Sequence, residues 1–373
     1  MEDVVLVLGF YSIMNESMGG YIVQLIYHHN IMSSPKVFVI GNPLLDISAH
    51  VDIELFNKYD IKLGNAILAE EKHLPLYEEL VTKYQVEYIP GGAAQNTARV
   101  AQWMLNEKQQ ILYTGCVGTD KNADILKSAT EANGVVVKYL ADASAPTGAC
   151  AVMMNNKERS LTTNLGAANN FKVEHLQTDE MKALIDAAEL FYMVGYFMTV
   201  SPDSAMLLGK HAAEKNKSFL YGLAAPFLIQ VDFFWERVKA LLPYVDVVFA
   251  NESEAAVLGE RMGWGADLAV IAEKLSVWEK VNSARSRTVV FTQGPNSTLV
   301  FQDGKLTQYS PINIAPEDIV DLNAAGDSFC GGFVAAYTLG KEVSKCVEAG
   351  HYAASEIIRQ NGCSFPSKRS YDL

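Results

Sequence analysis

Short apolar runs recur along the chain and alternate with longer stretches of helical periodicity. The first run is KVFVIG, and later runs of the same type are ILYTGCVG, ELFYMVGYF, FLYGLAAPF, DVVFAN and TVVFTQG. Intervening segments such as ADILKSATEANG carry apolar residues at helical spacing. Strands that alternate with helices predict an α/β fold, in which a mostly parallel central sheet is covered by helices on both faces.

Two stretches depart from this rhythm. Residues 45–66 and 135–166 alternate polar and apolar positions, and Asn155-Asn156 is a candidate hairpin turn. We interpret these stretches as a small β-rich layer inserted in the domain, and as a candidate lid. Everything from residue 36 to residue 373 is expected to form one α/β domain.

Residues 1–35 differ from the rest and are expected to be an N-terminal extension, disordered or non-native. Their apolar run VVLVLGFY is too short to span a bilayer, and it follows Glu2-Asp3 where a signal peptide would carry positive charge.

Charge and cysteine usage exclude several function classes. The formal net charge is −13 and no basic block is present, which argues against nucleic acid or an anionic membrane as a partner. The five cysteines are widely spaced and form no C-x-x-C pair, which favours the reducing cytoplasm. The chain carries neither a Walker A loop nor a G-x-G-x-x-G helix start, and its histidines lack zinc-ligand spacing.

The segment DLNAAGDSFCGGF is the strongest candidate site. A strand (EDIVDL) and a helix (SFCGGFVAAYTLG) flank Asn323–Gly326, which would leave successive N–H groups free to hold an anion. Asp327 follows in the first helical turn, where a carboxylate can be catalytic or can simply complement the helix dipole. The segment alone leaves both readings open.

Two other loops supply polar groups at strand ends. GNPLLDIS follows the first strand and PGGAAQNTARVAQW opens a helix, so that Asn42, Asp46, Gly92 and Asn96 approach one edge of the sheet. This set is suited to a diol, and ordinary turn chemistry is the alternative.

These motifs, together with ILAEEKH, GCVGTD, PTGACA, ANESEA, FTQG and AGHYAASEIIRQNGCSFP, resemble the ribokinase-like (PfkB) family of carbohydrate and nucleoside kinases. The matches keep their order and spacing from residue 36 to about residue 367. GNPLLDIS, ILAEEKH and GHYAAS…GCSFP are most similar to the family members that phosphorylate adenosine. The resemblance implies a ribokinase-like fold with a lid, and transfer of the ATP γ-phosphate to the adenosine 5′-hydroxyl, with Mg²⁺ as cofactor. It also implies a cytoplasmic monomer, for which a nuclear pool is compatible.

The resemblance assigns catalytic roles by position. Asp327 corresponds to the general base for the 5′-hydroxyl, and the N–H groups of Ala325, Gly326 and Asp327 correspond to an anion hole in the loop that includes Ala324. Arg159, in the candidate lid, corresponds to an arginine that closes on the phosphates, although a surface arginine is the simpler alternative.

The binding positions follow in the same way. Those for ribose and adenine are Asn42, Leu44, Asp46, Leu68, Gly92, Ala93, Asn96, Cys150, Leu161 and Phe197. Those for ATP are Asn251, Thr292, Gly294, Asn323 and His351. Asn251 and Glu254 also match an N-x-x-E magnesium motif that acts through water. Without the resemblance, the apolar members of these sets would be ordinary core residues.

Three residues depart from the family pattern near the phosphates. Leu322 replaces a hydroxyl residue, Ala324 replaces a glycine, and Gly222 stands where asparagine is usual. A left-handed backbone at Ala324 would cost about 1–2 kcal/mol. Two alternatives therefore stay open beside the main reading: a related nucleoside or sugar kinase, and a catalytically weak nucleoside-binding protein.

Overall fold

The computed structural model describes residues 34–107, 109–155, 158–366 and 369–373. The predicted N-terminal extension lies outside the described residues apart from its last two positions, as does Asn156 of the predicted hairpin turn. Residues 35–373 form one compact unit.

A nine-stranded sheet forms the centre of this unit. In spatial order its strands are β16 (Lys305–Tyr309), β15 (Asn296–Gln302), β14 (Thr288–Gln293), β13 (Val247–Asn251), β12 (Ser218–Gly222), β11 (Leu190–Val194), β1 (Val37–Ile40), β5 (Ile111–Thr114) and β7 (Val136–Val137). All neighbours from β14 to β7 run parallel, whereas β15 and β16 are antiparallel additions at one edge. The predicted α/β class and the mostly parallel sheet are confirmed.

Helices cover both faces of this sheet, and the first two helices in the chain pack instead on the second sheet described below. The helices are α1 (Ile53–Lys58), α2 (Leu74–Lys83), α3 (Ala93–Leu105), α4 (Lys121–Ala132), α5 (Asp179–Ala187), α6 (Pro202–Glu214), α7 (Phe227–Gln230), α8 (Asp232–Leu241), α9 (Glu252–Arg261), α10 (Leu268–Ser276), α11 (Ala325–Thr338) and α12 (Val343–Ile357). Strand β1 shows why two layers are needed: Phe38 and Ile40 enter one buried cluster, while Val37 and Val39 enter the other. Alternate side chains of a strand point to opposite faces, so both faces of this apolar strand are buried.

Helix α11 packs closely against its neighbours. A Cβ at Gly331 would lie 2.6 Å from Val100 Cβ of α3, and one at Gly332 would lie 2.2 Å from the Ala349 carbonyl of α12. The Gly-Gly pair of FCGGF therefore allows three helices to approach, and this packing fixes the start of α11. Among the described residues, no helix is long and apolar enough to cross a membrane.

A second, five-stranded sheet carries the candidate lid. Its order is β3 (Ala66–Leu68), β10 (Glu158–Asn164), β9 (Ala149–Asn155), β2 (Leu44–His50) and β4 (Glu87–Gly91). Strands β9 and β10 form an antiparallel hairpin at the predicted turn. One face of this sheet packs on α1 and α2 through a separate apolar cluster that includes Ile47, Ala151 and Leu76.

The predicted lid boundaries differ from this sheet. Strand β4 lies outside both predicted segments, and α1 interrupts the first of them. In the second segment, β7 pairs with β5 of the main sheet, and β8 (Leu140–Ala141) pairs with β6 (Cys116–Val117) in a separate two-stranded sheet. An alternating pattern identifies a half-buried strand but not the sheet that it joins, which explains the difference.

Candidate active site

The start of α11 is an open cluster of backbone N–H groups. Ala324 precedes the helix in a left-handed conformation, with φ of 61° and ψ of 7°. The first α-helical bond runs from Ser328 N–H to Ala324 O at 2.8 Å, so the N–H groups of Gly326 and Asp327 come before the helical ladder. A Cβ at Gly326 would meet no atom within 4 Å, which means that the space in front of this turn is open. The geometry suits an anion held at a helix N-terminus.

Asp327 is anchored by a residue from the other helix start. Asn96 Nδ2 donates to Asp327 Oδ2 at 3.0 Å, and Thr97 Oγ1 donates to the Asp327 carbonyl at 3.2 Å. Burial raises the pKa of Asp327 to about 6, although the Asn96 hydrogen bond opposes this rise. A carboxylate held in place and titrating near neutrality can accept a proton from a substrate hydroxyl.

Two buried amide oxygens of the predicted site have no hydrogen-bond partner among the described residues. They are Asn42 Oδ1 and Asn96 Oδ1, and both are inaccessible in this part of the chain. Gly92, the residue before α3, allows its loop to approach the Asn42 backbone: its φ is +89°, and a Cβ there would lie 2.3 Å from the Asn42 carbonyl oxygen. Buried acceptors without donors are unfavourable, so these oxygens suit a ligand that carries hydroxyl groups.

The Asp46 carboxylate occupies the space beside Gly91, which has no side chain. It lies on β2 opposite Ile89 of β4, and a Cβ at the nearby Gly91 would lie 2.3 Å from Asp46 Oδ1. Burial raises the pKa of Asp46 to about 7, while the positive charges of Arg159 and Arg99 oppose the rise and Asp321 and Asp327 add to it. The second acidic group of the site is therefore also poised near neutrality.

The predicted adenine and ribose positions share one row of the second sheet. Cross-strand registers connect Leu68, Thr163, Cys150 and Asp46 in sequence. Neighbours in a register point to the same face, so this row crosses the face opposite to the one that packs on α1 and α2. Leu68 is 66% exposed, whereas Cys150 is buried and accepts a hydrogen bond from Thr163 Oγ1 at 3.3 Å.

Two more predicted positions belong to this face by the same periodicity. Leu44 precedes Asp46 by two residues on β2, and Leu161 precedes Thr163 by two residues on β10. Both are partly buried. The second sheet therefore offers a mixed surface, with an acid at one side and apolar side chains at the other.

Arg159 connects this sheet to the loop before α11. Its guanidinium forms a salt bridge with Asp321 and donates to Asn361 Oδ1 at 3.2 Å. Asp321 also accepts from the N–H groups of Asn323 and Gly362, at 2.9 Å and 3.0 Å. Arg159 is therefore near the anion site but is held by protein groups, and a contact with phosphates stays a prediction.

The predicted aromatic residue, Phe197, is buried, whereas its neighbour Tyr196 is exposed. Phe197 is only 1% exposed and packs against Phe171 in the core, whereas Tyr196 is 42% exposed. Burial raises the pKa of Tyr196 to about 12, and the charges of Asp327 and Glu254 contribute to this rise. Tyr196 is therefore the more exposed ring of this turn, and a contact of Phe197 with adenine stays a prediction. The 3₁₀ turn at Gly195–Thr199 decides which of two adjacent rings faces outward.

Asn251 and Glu254 form a capping box at the start of α9. Glu254 N–H donates to Asn251 Oδ1 at 2.9 Å, and Glu254 Oε2 accepts from Asn251 N–H at 3.0 Å. Burial raises the pKa of Glu254. The described residues contain no cluster of three or more metal-ligating acids, cysteines or histidines. Each carboxylate oxygen keeps a free lone pair, so the pair fits a magnesium ion that is contacted through its water shell.

The remaining predicted nucleotide positions are spread over three elements. Thr292 pairs with Asn251 in the sheet register, and Gly294 turns the chain after β14 with φ of +54°. His351 is buried, its Nε2 bonds to Thr298 Oγ1 at 2.8 Å, and burial lowers its pKa to about 4. The contact of His351 with ATP stays a prediction. Asn323 lies in the loop before α11, with its N–H on Asp321.

Ala93 and the departure at Gly222, the last residue of β12, complete the set. Ala93 is the first residue of α3, and its carbonyl lies 3.1 Å from Thr97 Oγ1 and shares that hydroxyl proton with the Asp327 carbonyl. Gly222 ends β12, where a Cβ would meet only the Tyr192 hydroxyl, at 3.6 Å. Ala224 has φ of 73°. Space is therefore present for a larger residue at Gly222.

Comparison with known proteins supports the same fold. A family model, described as pfkB family carbohydrate kinase, matches residues 54–369. Adenosine kinase of Dictyostelium discoideum is 70% identical over 336 residues, which cover 90% of this chain and 98% of that protein. Adenosine kinase 2 of Arabidopsis thaliana is 47% identical over 334 residues, 89% of this chain and 96% of that protein.

A solved structure agrees with these relatives. The crystal structure of Anopheles gambiae adenosine kinase in complex with P1,P4-di(adenosine-5) tetraphosphate superimposes with a TM-score of 0.83 at 44% identity, over 90% of this chain and 99% of that chain. The protein is a kinase with a ribokinase-like α/β fold. It belongs to the pfkB family of carbohydrate kinases, and the curated relatives that it resembles are adenosine kinases.

Proposed function

We propose that the protein transfers the γ-phosphate of ATP to the 5′-hydroxyl of adenosine, giving AMP and ADP. The single observation that supports this most is the pair of buried acceptors, Asn42 Oδ1 and Asn96 Oδ1, that find no donor among the described residues, the second of them on the side chain that donates to Asp327. Ribose supplies the hydroxyl donors that such acceptors lack. The adenosine kinase relatives make adenosine the nucleoside of choice.

The reaction uses residues at the start of α11. The 5′-oxygen attacks the γ-phosphorus, the bond to the β,γ-bridging oxygen breaks, and the 5′-hydroxyl proton passes to Asp327. In phosphoryl transfer the proton leaves late, so Asp327 mainly orients the hydroxyl. The N–H groups of Gly326 and Asp327 hold the charge that develops on the phosphate oxygens. The third predicted donor, Ala325 N–H, is instead bonded to Leu322 O at 3.3 Å.

The nucleoside and the phosphates are held by separate groups. Asp46 accepts from ribose hydroxyls, while Leu44, Leu68, Leu161 and Tyr196 border the base. Arg159 leaves Asp321 to meet the phosphates as the second sheet closes. Asn251 and Glu254 would hold the hydration shell of a magnesium ion, which supplies charge neutralisation when bound with ATP.

The departures from the family pattern leave this assignment intact. Leu322 is 66% exposed, so its side chain does not occupy the anion site. Ala324 adopts the left-handed conformation that a glycine would adopt, so the N–H cluster keeps its shape at a cost in strain.

The test is an assay of purified protein with adenosine, ATP and Mg²⁺, in which AMP and ADP are quantified. We expect equal amounts of both products, and little turnover of ribose, fructose or inosine. Turnover of a sugar alone would select the related kinase, and adenosine binding without turnover would select the weak nucleoside-binding protein.

Oligomeric state and location are also proposals. We expect a monomer, because the edge strands of the second sheet are short, three residues in β3 and five in β4; light scattering on a sizing column tests this. We expect a cytoplasmic location, with a nuclear pool compatible, because all five cysteines are unpaired and buried. Imaging of the tagged protein tests the location.

A further inference from the structure

Arg99 is a buried cation with no acidic partner in contact. It lies on α3, is 4% exposed, and takes part in none of the salt bridges among the described residues. Its Nη1 donates to the Pro90 carbonyl at 2.8 Å and its Nε donates to Asn133 Oδ1 at 2.8 Å. A buried charge without a counter-ion is costly, so its retention calls for a reason.

The carbonyl that Arg99 holds belongs to β4, the strand that pairs with β2, on which Asp46 lies. Pro90 pairs with Leu45 in the β2–β4 register, and the next residue, Gly91, leaves the space that the Asp46 carboxylate fills. A displacement of Pro90 would therefore move Gly91 and change the space that the Asp46 carboxylate fills.

A second side chain of α3 holds the neighbouring carbonyl. Gln95, one helical turn before Arg99, donates Nε2 to Gly91 O at 2.9 Å, and its own Oε1 accepts from the Tyr139 hydroxyl. Two consecutive carbonyls of β4 are thus fixed from the same face of one helix. We call Gln95 and Arg99 the carbonyl clamp.

Arg99 also acts on Asp46 through charge. Four charged groups influence the pKa of Asp46: Arg99 on α3, Arg159 on β10, Asp321 in the loop before α11, and Asp327 in α11. The two arginines favour the ionised carboxylate and the two acids disfavour it. Without Arg99, only Arg159 would favour the ionised form of Asp46, while two acids and desolvation would oppose it. The pKa of Asp46 should therefore rise further.

The C-terminal segment covers Arg99. The Phe365 ring centroid lies 5.0 Å from the guanidinium carbon, and Phe365 stacks on Trp103 at 5.6 Å. Trp103 stacks in turn on Tyr352, and Tyr352 on Tyr371. A cation under an aromatic ring is stabilised and kept from water, which maintains its hydrogen bonds to the protein.

We propose that Arg99 is a positioning residue for nucleoside binding: it fixes β4 through Pro90 and supplies positive charge behind Asp46, with Phe365 as its cover. The role rests on the proposed function, because Asp46 is taken as the ribose ligand. Arg99 is not itself a catalytic residue, since it meets the site only through Pro90 and through its charge.

The test compares Arg99→Met and Arg99→Lys with the parent protein. We expect Arg99→Met to raise the KM for adenosine about tenfold, which corresponds to one lost charge-assisted hydrogen bond, with kcat and the KM for ATP changed less than about twofold. Arg99→Lys keeps the charge and should recover part of the loss. Raising the pH to about 9 should also recover part of it in Arg99→Met, because Asp46 then ionises without help. Phe365→Leu should raise the KM by about two- to fivefold.

Arg287 provides a matched control. It is 1% exposed and donates to five backbone carbonyls, those of Val245, Leu275, Trp278, Leu242 and Glu279. Arg287→Lys should lower the melting temperature and leave the KM for adenosine unchanged. If Arg99→Lys and Arg99→Met behave in the same way, with a lower melting temperature and an unchanged KM, the proposal is overturned.

The proposed function is tested separately by turnover in the parent protein. If the parent binds adenosine without phosphorylating it, the kinase proposal fails while the role of Arg99 remains testable by calorimetry. In that case the dissociation constant for adenosine should rise about tenfold in Arg99→Met and stay unchanged in Arg287→Lys. An equal dissociation constant in parent and Arg99→Met would overturn the positioning role on its own.

Discussion

Asn96 and Asp327 lie 231 residues apart in the chain, and their side chains are joined by a hydrogen bond of 3.0 Å. The bond links the first turns of α3 and α11, the two helices that begin directly after Gly92 and Ala324. Two helix N-termini therefore converge on one carboxylate and on the open space in front of Gly326. Positive ends of helix dipoles at one point favour the binding of phosphate there.

Replacement of Asp327 by Asn should reduce turnover far more than binding. The amide keeps a partner for Asn96 but cannot accept the hydroxyl proton, so we expect kcat to fall about 10²- to 10⁴-fold with the KM for adenosine nearly unchanged. Steady-state kinetics measure both. Asp318→Asn, an exposed acid in the same loop region, is the control and should behave as the parent. Near-normal turnover in Asp327→Asn would remove it as general base.

Replacement of Asp46 by Ala should mainly weaken the binding of the nucleoside. Loss of a charged acceptor should raise the KM for adenosine roughly 10- to 100-fold and leave the KM for ATP unchanged. Deoxy analogues of adenosine serve as the control. The parent should prefer adenosine over 2′-deoxyadenosine or 3′-deoxyadenosine, and Asp46→Ala should show a smaller preference. If the variant kept the full preference for the ribonucleoside, the ribose role of Asp46 would be wrong.

Much of the fold could be predicted because its patterns are local. Apolar strands such as β1 and the glycine-rich starts of α3 and α11 are visible in single segments of sequence. The sequence did not show which of the neighbouring rings of Tyr196 and Phe197 is exposed, because this depends on the direction of a 3₁₀ turn packed against the core. The membership of β4 in the second sheet also depends on long-range pairing with β2.

The carbonyl clamp and the Arg159 salt bridge were invisible for a related reason. In the sequence, Gln95 and Arg99 are ordinary polar positions of a helix, and both become buried only because β4 and the C-terminal segment pack over them. Asp321 likewise stands in a motif whose catalytic member is another acid. Such roles depend on which distant backbone groups a side chain reaches, and no local periodicity contains that information.

The acidity of the site should appear in its pH profile. Burial raises the pKa of Asp327 to about 6 and that of Asp46 to about 7, and both must be ionised to act. We therefore expect kcat/KM for adenosine to fall as the pH drops below about 7, and more steeply below about 6, because this quantity reports the free enzyme. A profile that is flat between about pH 5 and pH 8 would contradict this.

Stability should depend on pH in the opposite sense. Each folded-state pKa lies above the unfolded value near 3.8, so the folded protein binds these protons more tightly. Their contribution to stability is present at low pH and is lost as the pH rises from about 4 to about 7. Thermal unfolding without ligands should show this decline, and a variant with Asn at both Asp46 and Asp327 should show less of it.

Replacement of Glu254 by Gln should raise the magnesium requirement. Gln can still accept from the Asn251 N–H and preserve the helix start, but it loses the negative charge. We expect the half-saturating Mg²⁺ concentration to rise about tenfold, the usual size of an effect on residues that contact a metal through other ligands. Glu252→Gln is the control, since Glu252 is an exposed acid of the same turn. If both variants need the same Mg²⁺ as the parent, Glu254 serves only as a cap.

Replacement of Ala324 by Gly tests the strain in the anion-binding loop. Ala324 has φ of 61°, a conformation that costs an L-residue about 1–2 kcal/mol, and glycine would remove this strain. Part of the stabilisation is lost, because glycine also makes the unfolded chain more flexible. The net expectation is an increase of about 1 kcal/mol in the free energy of unfolding, with kcat at least equal to that of the parent. Ala325→Gly is the matched control: the next residue is helical, so the same change should lower stability by up to about 1 kcal/mol. Denaturant unfolding of both variants gives the two signs, and a destabilised Ala324→Gly protein would show that Ala324 gains more from its packing than it loses in strain.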